Sequence, residues 1–229
     1  MACQCERQDL CVARVPIFSE LECDKLQEIN QLVTKKEYRQ GETIFLEGER
    51  SQNIYILHEG MVKNYKISPE GREYIIRLLR EGDYFGELIL FKDEPLTSYA
   101  EALTDVTLCL LNKQDLEALL QDNPALALKL LASFSSRLQR AEQTIETLAL
   151  EDARQKVIRL LVNLAEDSGK RTGQGIRIDL PLNRNGLASF LGITQETLSR
   201  KLTELLEEGI ITEIDRKKIV INNELLNIG

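Results

Sequence analysis

The chain is poor in histidine, a common metal ligand and general base. It has a single histidine, His58. That excludes a histidine-rich metal site and a bis-histidine haem site. His58 stands in Leu57-His58-Glu59-Gly60 and reads as a structural strand-end residue. No glycine-rich phosphate loop precedes a helix, and no catalytic constellation can be assembled, so the chain does not read as an enzyme. No apolar run approaches the length of a membrane span, and no membrane partner is expected. The N-terminus, MACQCERQDLC, lacks the apolar stretch of an export signal, so the expected location is cytoplasmic. Five cysteines in such a chain point to metal or redox chemistry before a disulfide framework. The net charge is −8, which disfavours nonspecific nucleic-acid binding. A local basic face on an acidic body still permits specific binding. Arg184, Arg200, Lys201, Arg216, Lys217 and Lys218 all fall in the C-terminal quarter.

What is present is concentrated in residues 182–208, LNRNGLASFLGITQETLSRKLTELLEE. A short amphipathic helix carrying Leu187, Ala188 and Leu191 runs into Gly192-Ile193-Thr194. Gly192 suits the left-handed residue that ends a helix. Thr194 suits the cap that opens the next one. The second helix has an apolar face (Leu198, Leu202, Leu205) and a polar face (Gln195, Glu196, Ser199, Arg200). This spacing predicts a helix-turn-helix that reads double-stranded DNA. Arg pairs with guanine, Glu accepts from cytosine, and Ser serves several bases or a phosphate. Lys201 and Arg184 join the expected contact set. Beyond the second helix, two short apolar strands, 210–214 and 219–221, flank a charged tip. They read as the hairpin of a wing, with Arg216, Lys217 and Lys218 of its tip near phosphates.

The rest of the chain is organised ahead of that module. Residues 1–18 form a cysteine-bearing N-terminal segment. Residues 19–121 form a sensory domain: a short helix over 19–32, then many short strands punctuated by turns, which predict a β-barrel or sandwich of the jelly-roll kind. Residues 122–150 form a long helix, with Pro124 in its first turn. Its apolar residues Leu126, Leu130, Phe134, Leu138, Ala141, Ile145 and Leu148 are spaced close to a coiled-coil seam. A two-fold mate is the simplest cover for such a stripe, so Leu130, Phe134, Leu138, Ala141, Ile145 and Leu148 are the expected dimer interface. Residues 151–229 form the winged-helix domain, with a helix from Glu151 and a polar loop over 167–175. The fold class is α+β.

This order of barrel, long helix and winged helix resembles the CRP/FNR family, that of the catabolite activator protein and the fumarate–nitrate reduction regulator. The barrel resemblance lies in Tyr84-Phe85-Gly86-Glu87-Leu88 through Phe91. The recognition resemblance lies in Leu191 to Thr197 with Ser199-Arg200. Glu196, Ser199 and Arg200 are similar to the fumarate–nitrate branch. Gly186 departs from the family, where an acidic residue is common. The resemblance implies a homodimeric transcription factor that reads a palindromic operator, TTGA-like in its half-site, and contacts RNA polymerase.

The resemblance also bears on the signal. The nucleotide-sensing branch holds the cyclic phosphate with an Arg-Ser pair, and here the matching positions are Thr97-Ser98. Losing the guanidinium removes a charge-assisted bond, so cyclic AMP is not expected to bind in the usual way. Gly86-Glu87 then reads as a structural turn. By resemblance, Cys109 falls at the fourth cluster ligand of the fumarate–nitrate regulator, and Cys3, Cys5 and Cys11 precede the barrel. Together they imply a [4Fe–4S] cluster that senses oxygen. The first pair is Cys-x-Cys where the family has Cys-x-x-Cys. Two alternatives stay open: a thiol–disulfide switch of Cys5 or Cys11 with Cys109 and no cofactor, or zinc on four cysteines. Cys23 reads as a bystander. Competing functions are a regulator of the same fold with a small-molecule effector in the barrel, and a barrel module that does not bind DNA.

Overall fold

The computed structural model describes residues 11–18, 21–91, 94–173, 175–215 and 217–222, apart from the side chains of residues 11, 90, 148 and 149. The chain divides into two compact units, Met1–Gln139 and Arg140–Gly229. The division falls inside the long helix, not at either of its ends.

The first unit begins with a 3-10 turn, Cys11–Arg14, and helix α1 (Cys23–Leu32), which buries Leu26 and Ile29. Eight strands follow: β1 (Val33–Tyr38), β2 (Thr43–Phe45), β3 (Asn53–Glu59), β4 (Val62–Ile67), β5 (Glu73–Leu79), β6 (Tyr84–Phe85), β7 (Tyr99–Ala102) and β8 (Val106–Asn112). They form two antiparallel four-stranded sheets, ordered β1-β8-β3-β6 and β2-β7-β4-β5. This is the expected jelly-roll barrel. An aromatic cluster of Phe45, Tyr55 and Phe85, with ring centroids 5.2–5.8 Å apart, fills its interior. Burying each such ring contributes roughly 1.5–3 kcal/mol, and their tilted or stacked contacts add to that.

Strand periodicity decides what the other face of the first sheet carries. Tyr55 pairs with Leu110 and Leu57 with Leu108, so these share the inner face with Phe85. Ile54 pairs with Leu111, and Ile56 with both Cys109 and Tyr84, so these point outward. That outer face is also buried. Val15, Ile17 and Phe18 cover it, with Leu116 of α2 (Lys113–Asp122) and Leu130 of α3 (Pro124–Leu150). Asn112 caps α2 by accepting from the Gln114 N–H at 2.9 Å. Helix α3 has 27 residues and so is about 40 Å long.

In the second unit, α4 (Ala153–Ser168) opens with a capping box between Asp152 and Gln155 and buries Val157, Leu160, Leu161, Leu164 and Ala165. Four strands follow: β9 (Lys170–Thr172), β10 (Gly175–Asp179), β11 (Ile211–Asp215) and β12 (Lys218–Ile221), in the sheet order β11-β12-β10-β9. Residues 167–175, expected as a polar loop, therefore include strand β9, paired with β10. All of β9 is exposed at a sheet edge, so no hydrophobic alternation marks it. Among the described residues no helix is long and apolar enough to cross a membrane.

Candidate nucleic-acid interface

Two helices inserted between β10 and β11 build the interface: α5 (Arg184–Leu191) and α6 (Gln195–Glu207). Asn183 caps α5, accepting from the Gly186 N–H at 2.8 Å. Gly186 has a packing reason: a Cβ there would lie 3.1 Å from the Leu182 Cβ. Gly192 ends α5 in the left-handed region, φ 65 and ψ 33, a conformation that disfavours any side chain. Thr194 then caps α6, its hydroxyl accepting from the Thr197 N–H at 3.1 Å. Leu198, Leu202 and Leu205 anchor the helix in the unit's core. Gln195, Glu196, Ser199 and Arg200 stand exposed on the opposite side. Among the described residues none pairs with the Arg200 guanidinium. Thr203 continues the same face one turn on; its hydroxyl donates back to the Ser199 carbonyl at 3.1 Å. The sequence reading passed over Thr203, although its four-residue step from Ser199 marks it.

Two of the expected contact residues are ion-paired within the chain. Lys201 lies on the flank toward the buried leucines and is tied to Glu204 at 2.8 Å. Arg184 is bonded to Glu213 of β11 at 2.6 Å, so it braces α5 against the wing. The wing itself is the β11–β12 hairpin, with a bulge between Glu213 and Asp215. Asp215 accepts from the Lys217 N–H at 2.7 Å, and Lys218 stands 3.6 Å away. These bonds hold the Asp215 carboxyl below its ordinary range. Lys217 is exposed beside them. Arg216 lies outside the described residues.

The sensory candidates lie in the first unit. Cys109 is fully buried and disulfide-bonded. Cys3 and Cys5 lie outside the described residues, as does the Cys11 side chain. Cys11 nevertheless opens the 3-10 turn, and that turn packs on β3, the strand beside Cys109. Cys23 is a half-buried free thiol. Among the described residues no group of His, Cys, Asp and Glu is placed to hold a metal ion.

A cavity of about 350 Å³ opens on the barrel, lined among others by Asn64, Arg77, Gly86, Glu87, Thr97 and Ser98. Gly86 is left-handed, φ 79, and a Cβ there would stand 2.9 Å from the Tyr55 ring. It starts the 3-10 turn Glu87–Leu90. Glu87 is buried and bonded to Arg137 of α3, with Arg77 at 3.7 Å; its Oε2 has no partner. Burial, then the neighbouring Arg137 charge, push the Arg77 guanidinium down from its ordinary value, against the pull of Glu87.

On α3, Leu130 is buried at 4% exposure in its own unit's core, and Phe134 packs partly against that core. Leu130 therefore leaves the expected mating stripe. The apolar residues left in water include Leu131, Leu138 and Ile145, at 59%, 62% and 66% exposure. Ala141 is exposed as well, and the Leu148 side chain lies outside those described.

Comparison with known proteins follows this division. Residues 35–123 match the cyclic nucleotide-binding domain, and residues 155–225 match the Crp-like helix-turn-helix domain. The global nitrogen regulator of Synechocystis sp. is 35% identical over 188 residues, 81% of this chain and 83% of that one. The chain belongs to the CRP/FNR family of transcriptional regulators. The CRP-like cAMP-activated global transcriptional regulator of Mycobacterium tuberculosis is 28% identical over 94% of this chain and 96% of that one. Among solved structures, FixK2 from Bradyrhizobium japonicum superposes with a TM-score of 0.74 at 29% identity, covering 85% of this chain and 96% of that one. Within this CRP/FNR chain, the winged helix is accordingly the DNA-binding element.

Proposed function

We propose that this CRP/FNR-type regulator is a homodimer that reads a two-fold operator and sets its DNA affinity by a thiol–disulfide exchange at Cys109. The carrying observation is the buried, disulfide-bonded Cys109, on the sheet face that the N-terminal segment covers. Cys5 or Cys11 is the proposed second sulfur. Reduction takes two electrons and two protons from a cellular dithiol, which leaves as its own disulfide. Cys109 and its mate become thiols, and the segment ahead of α1 loses its covalent hold on the sheet. Because Val15, Ile17 and Phe18 share one buried layer with Leu130 of α3, loosening the segment changes how the helix is seated. A ligand-free change of that kind shifts a two-state equilibrium by its differential effect on each state.

A cluster or zinc ion needs thiolates. Cys109 is joined in a disulfide instead, and its co-ligands Cys3, Cys5 and the Cys11 side chain lie outside the described residues, so no step runs through either group. Homodimerisation is supported by Leu131, Leu138 and Ile145, which recur every seven residues on an exposed face. Gln195, Glu196, Ser199 and Arg200 are proposed to contact base edges, and Lys217 and Arg216 phosphates. The cytoplasm, where dithiols are abundant, is the proposed setting, and RNA polymerase the proposed protein partner.

The test is anaerobic purification followed by disulfide mapping and by iron, sulfide and zinc analysis. A colourless protein in which Cys109 is linked to Cys5 or Cys11 after air exposure, and free after dithiothreitol, is expected. A brown sample with stoichiometric iron and sulfide would overturn the exchange reading.

The barrel cavity favours a second reading, a small-molecule effector. Its lining includes Arg77, Thr97, Ser98 and Glu87, whose Oε2 has no partner. Cyclic AMP is not the proposed occupant, since the position before Ser98 carries Thr97 and not an arginine. Calorimetric titration with cyclic AMP should show no heat of binding; micromolar binding would reverse this.

A further inference from the structure

The wing holds an apolar side chain in water at the point where its strand pairing breaks. Across β11 and β12, Ile211 faces Ile221, Thr212 faces Val220 and Glu213 faces Ile219, but the next pair is Asp215 with Lys218. Ile214 is therefore the extra residue of a β-bulge, a feature that re-aims the side chain it carries. Ile211, Ile219 and Ile221 are buried in the unit's core, whereas Ile214 is 55% exposed. Its neighbours fix the place from which it projects. Glu213 is bonded to Arg184 of α5 at 2.6 Å, which ties the strand to the helix pair. Asp215 accepts from the Lys217 N–H at 2.7 Å and lies 3.6 Å from the Lys218 amine. The Lys217 carbonyl accepts from the Leu180 N–H at 2.7 Å, which ties the tip to the segment leading into α5. The carboxylates on both sides of Ile214 are thus engaged by cations of the chain, and Lys217 stands exposed beside them.

Single exposed apolar side chains are ordinary on a protein surface. This one is set apart by the bulge, by the ties that hold it and by its place on the hairpin of the DNA-binding element. A helix lodged in the major groove brings a hairpin fixed beside it to the neighbouring phosphates and minor groove. Lysine amines go to the phosphates. An isoleucine gains nothing there, and gains only by packing between the sugar walls, as the apolar wedges of minor-groove binders do. We infer that Ile214 is a specificity-determining residue: it enters the minor groove flanking each half-site and favours A·T pairs there. The groove floor of an A·T pair carries acceptors alone, while a G·C pair adds the guanine N2 amine. That amine crowds a branched tip, and an apolar cover strips its water without replacing the hydrogen bond. The inference rests on the winged helix being the DNA-binding element of a dimer; it does not rest on redox exchange.

The test uses the full chain and duplexes whose half-sites come from random-sequence selection, with the pairs just outside them set to A·T or to G·C. Affinity is read by fluorescence anisotropy. Each methylene-sized group buried on binding is worth about fourfold in affinity, and Ile214→Ala removes everything beyond Cβ. Wild type should therefore prefer the A·T flanks by at least about fivefold. Ile214→Ala should lose that factor on the A·T duplex, change little on the G·C duplex, and bring the preference close to one. Ile214→Thr keeps the β-branched backbone preference but ends partly in a hydroxyl. It should behave as Ile214→Ala does, which separates loss of the apolar tip from loss of the wing's strand. Thermal melts of both should match wild type, since no core contact is removed. Lys217→Ala should weaken binding to both duplexes alike and lower the salt slope by about one. Equal loss on the two duplexes, wild-type behaviour in Ile214→Ala, or an Ile214→Thr protein that keeps the A·T preference would overturn the inference. A wild type that discriminates within the half-sites but not at the flanks would also overturn it and leave the DNA-binding element standing. A wild type that grips no duplex would sink both.

Discussion

The C-terminal unit keeps its proposed base-reading side chains in water, and the N-terminal unit buries its proposed sensing ones. Gln195, Glu196, Ser199 and Arg200 are exposed on α6. Cys109 and Glu87 are at 0% and 8% exposure. The two tasks require this. Reading a base edge needs donors and acceptors that face the groove and are held in rotamers set by a rigid helix behind them. Transmitting a signal needs groups whose displacement moves neighbours, and only a close-packed interior transmits displacement. The same chain therefore places its proposed base-reading groups where solvent can reach them and its proposed transmissive groups where solvent cannot.

The contrast can be broken from either side, and the largest effects belong to the buried layers. Phe18→Ala empties a 1% exposed site on the outer face of the first sheet; the expected loss is about 3–5 kcal/mol, read by denaturant unfolding followed by circular dichroism. Leu205→Ala, under α6, should lose about 2–5 kcal/mol in the same assay. A folded Phe18→Ala protein should keep its base preference, because no residue of the reading face is touched. Arg200→Ala is the reciprocal change: stability should hold, while discrimination at one base pair falls by about 1–3 kcal/mol in competitive operator titrations. Equal weakening on every duplex would make Arg200 a phosphate contact. Thr194→Ala removes the α6 cap and should lower stability by about 1 kcal/mol. Lys201→Ala, which breaks an i, i+3 surface pair, should shift stability by less than about 1 kcal/mol and leave operator affinity unchanged. The smallest effect concerns acid. The Gln155 N–H holds the Asp152 carboxyl below its ordinary range. The cap's contribution is therefore complete above the ordinary aspartate range and fades as pH falls through the lowered value. Thermal melts of Asp152→Asn should lack that acid-dependent component.

The same contrast explains what could be read in advance. Gly192, Thr194 and the two faces of α6 follow from neighbours within a few residues, so the helix-turn-helix was legible. So was the barrel, from turn spacing, and the start of α3 from Asn123-Pro124. Leu130 was not. Successive four-residue steps overshoot a 3.6-residue turn, so Leu126, Leu130 and Phe134 drift across the helix surface. Their end of the helix meets the barrel's own core, while Leu131, Leu138 and Ile145 keep a seven-residue register. Strand β9 was missed because three exposed residues carry no alternation. A local basic count could not reveal that Arg184 is tied to Glu213, 29 positions away, or that Lys201 is tied to Glu204. Glu87–Arg137 has a separation of 50, and nothing near either residue announces the other.

The most direct measurement is operator affinity across a graded dithiothreitol series, for wild type and Cys109→Ser, on a duplex selected from random sequence. The account predicts a two-fold site bound by the dimer, an affinity that changes at least about fivefold between oxidised and reduced wild type, and a flat response for Cys109→Ser. A wild-type curve as flat as that of Cys109→Ser, or binding by a single subunit without base preference, would contradict it.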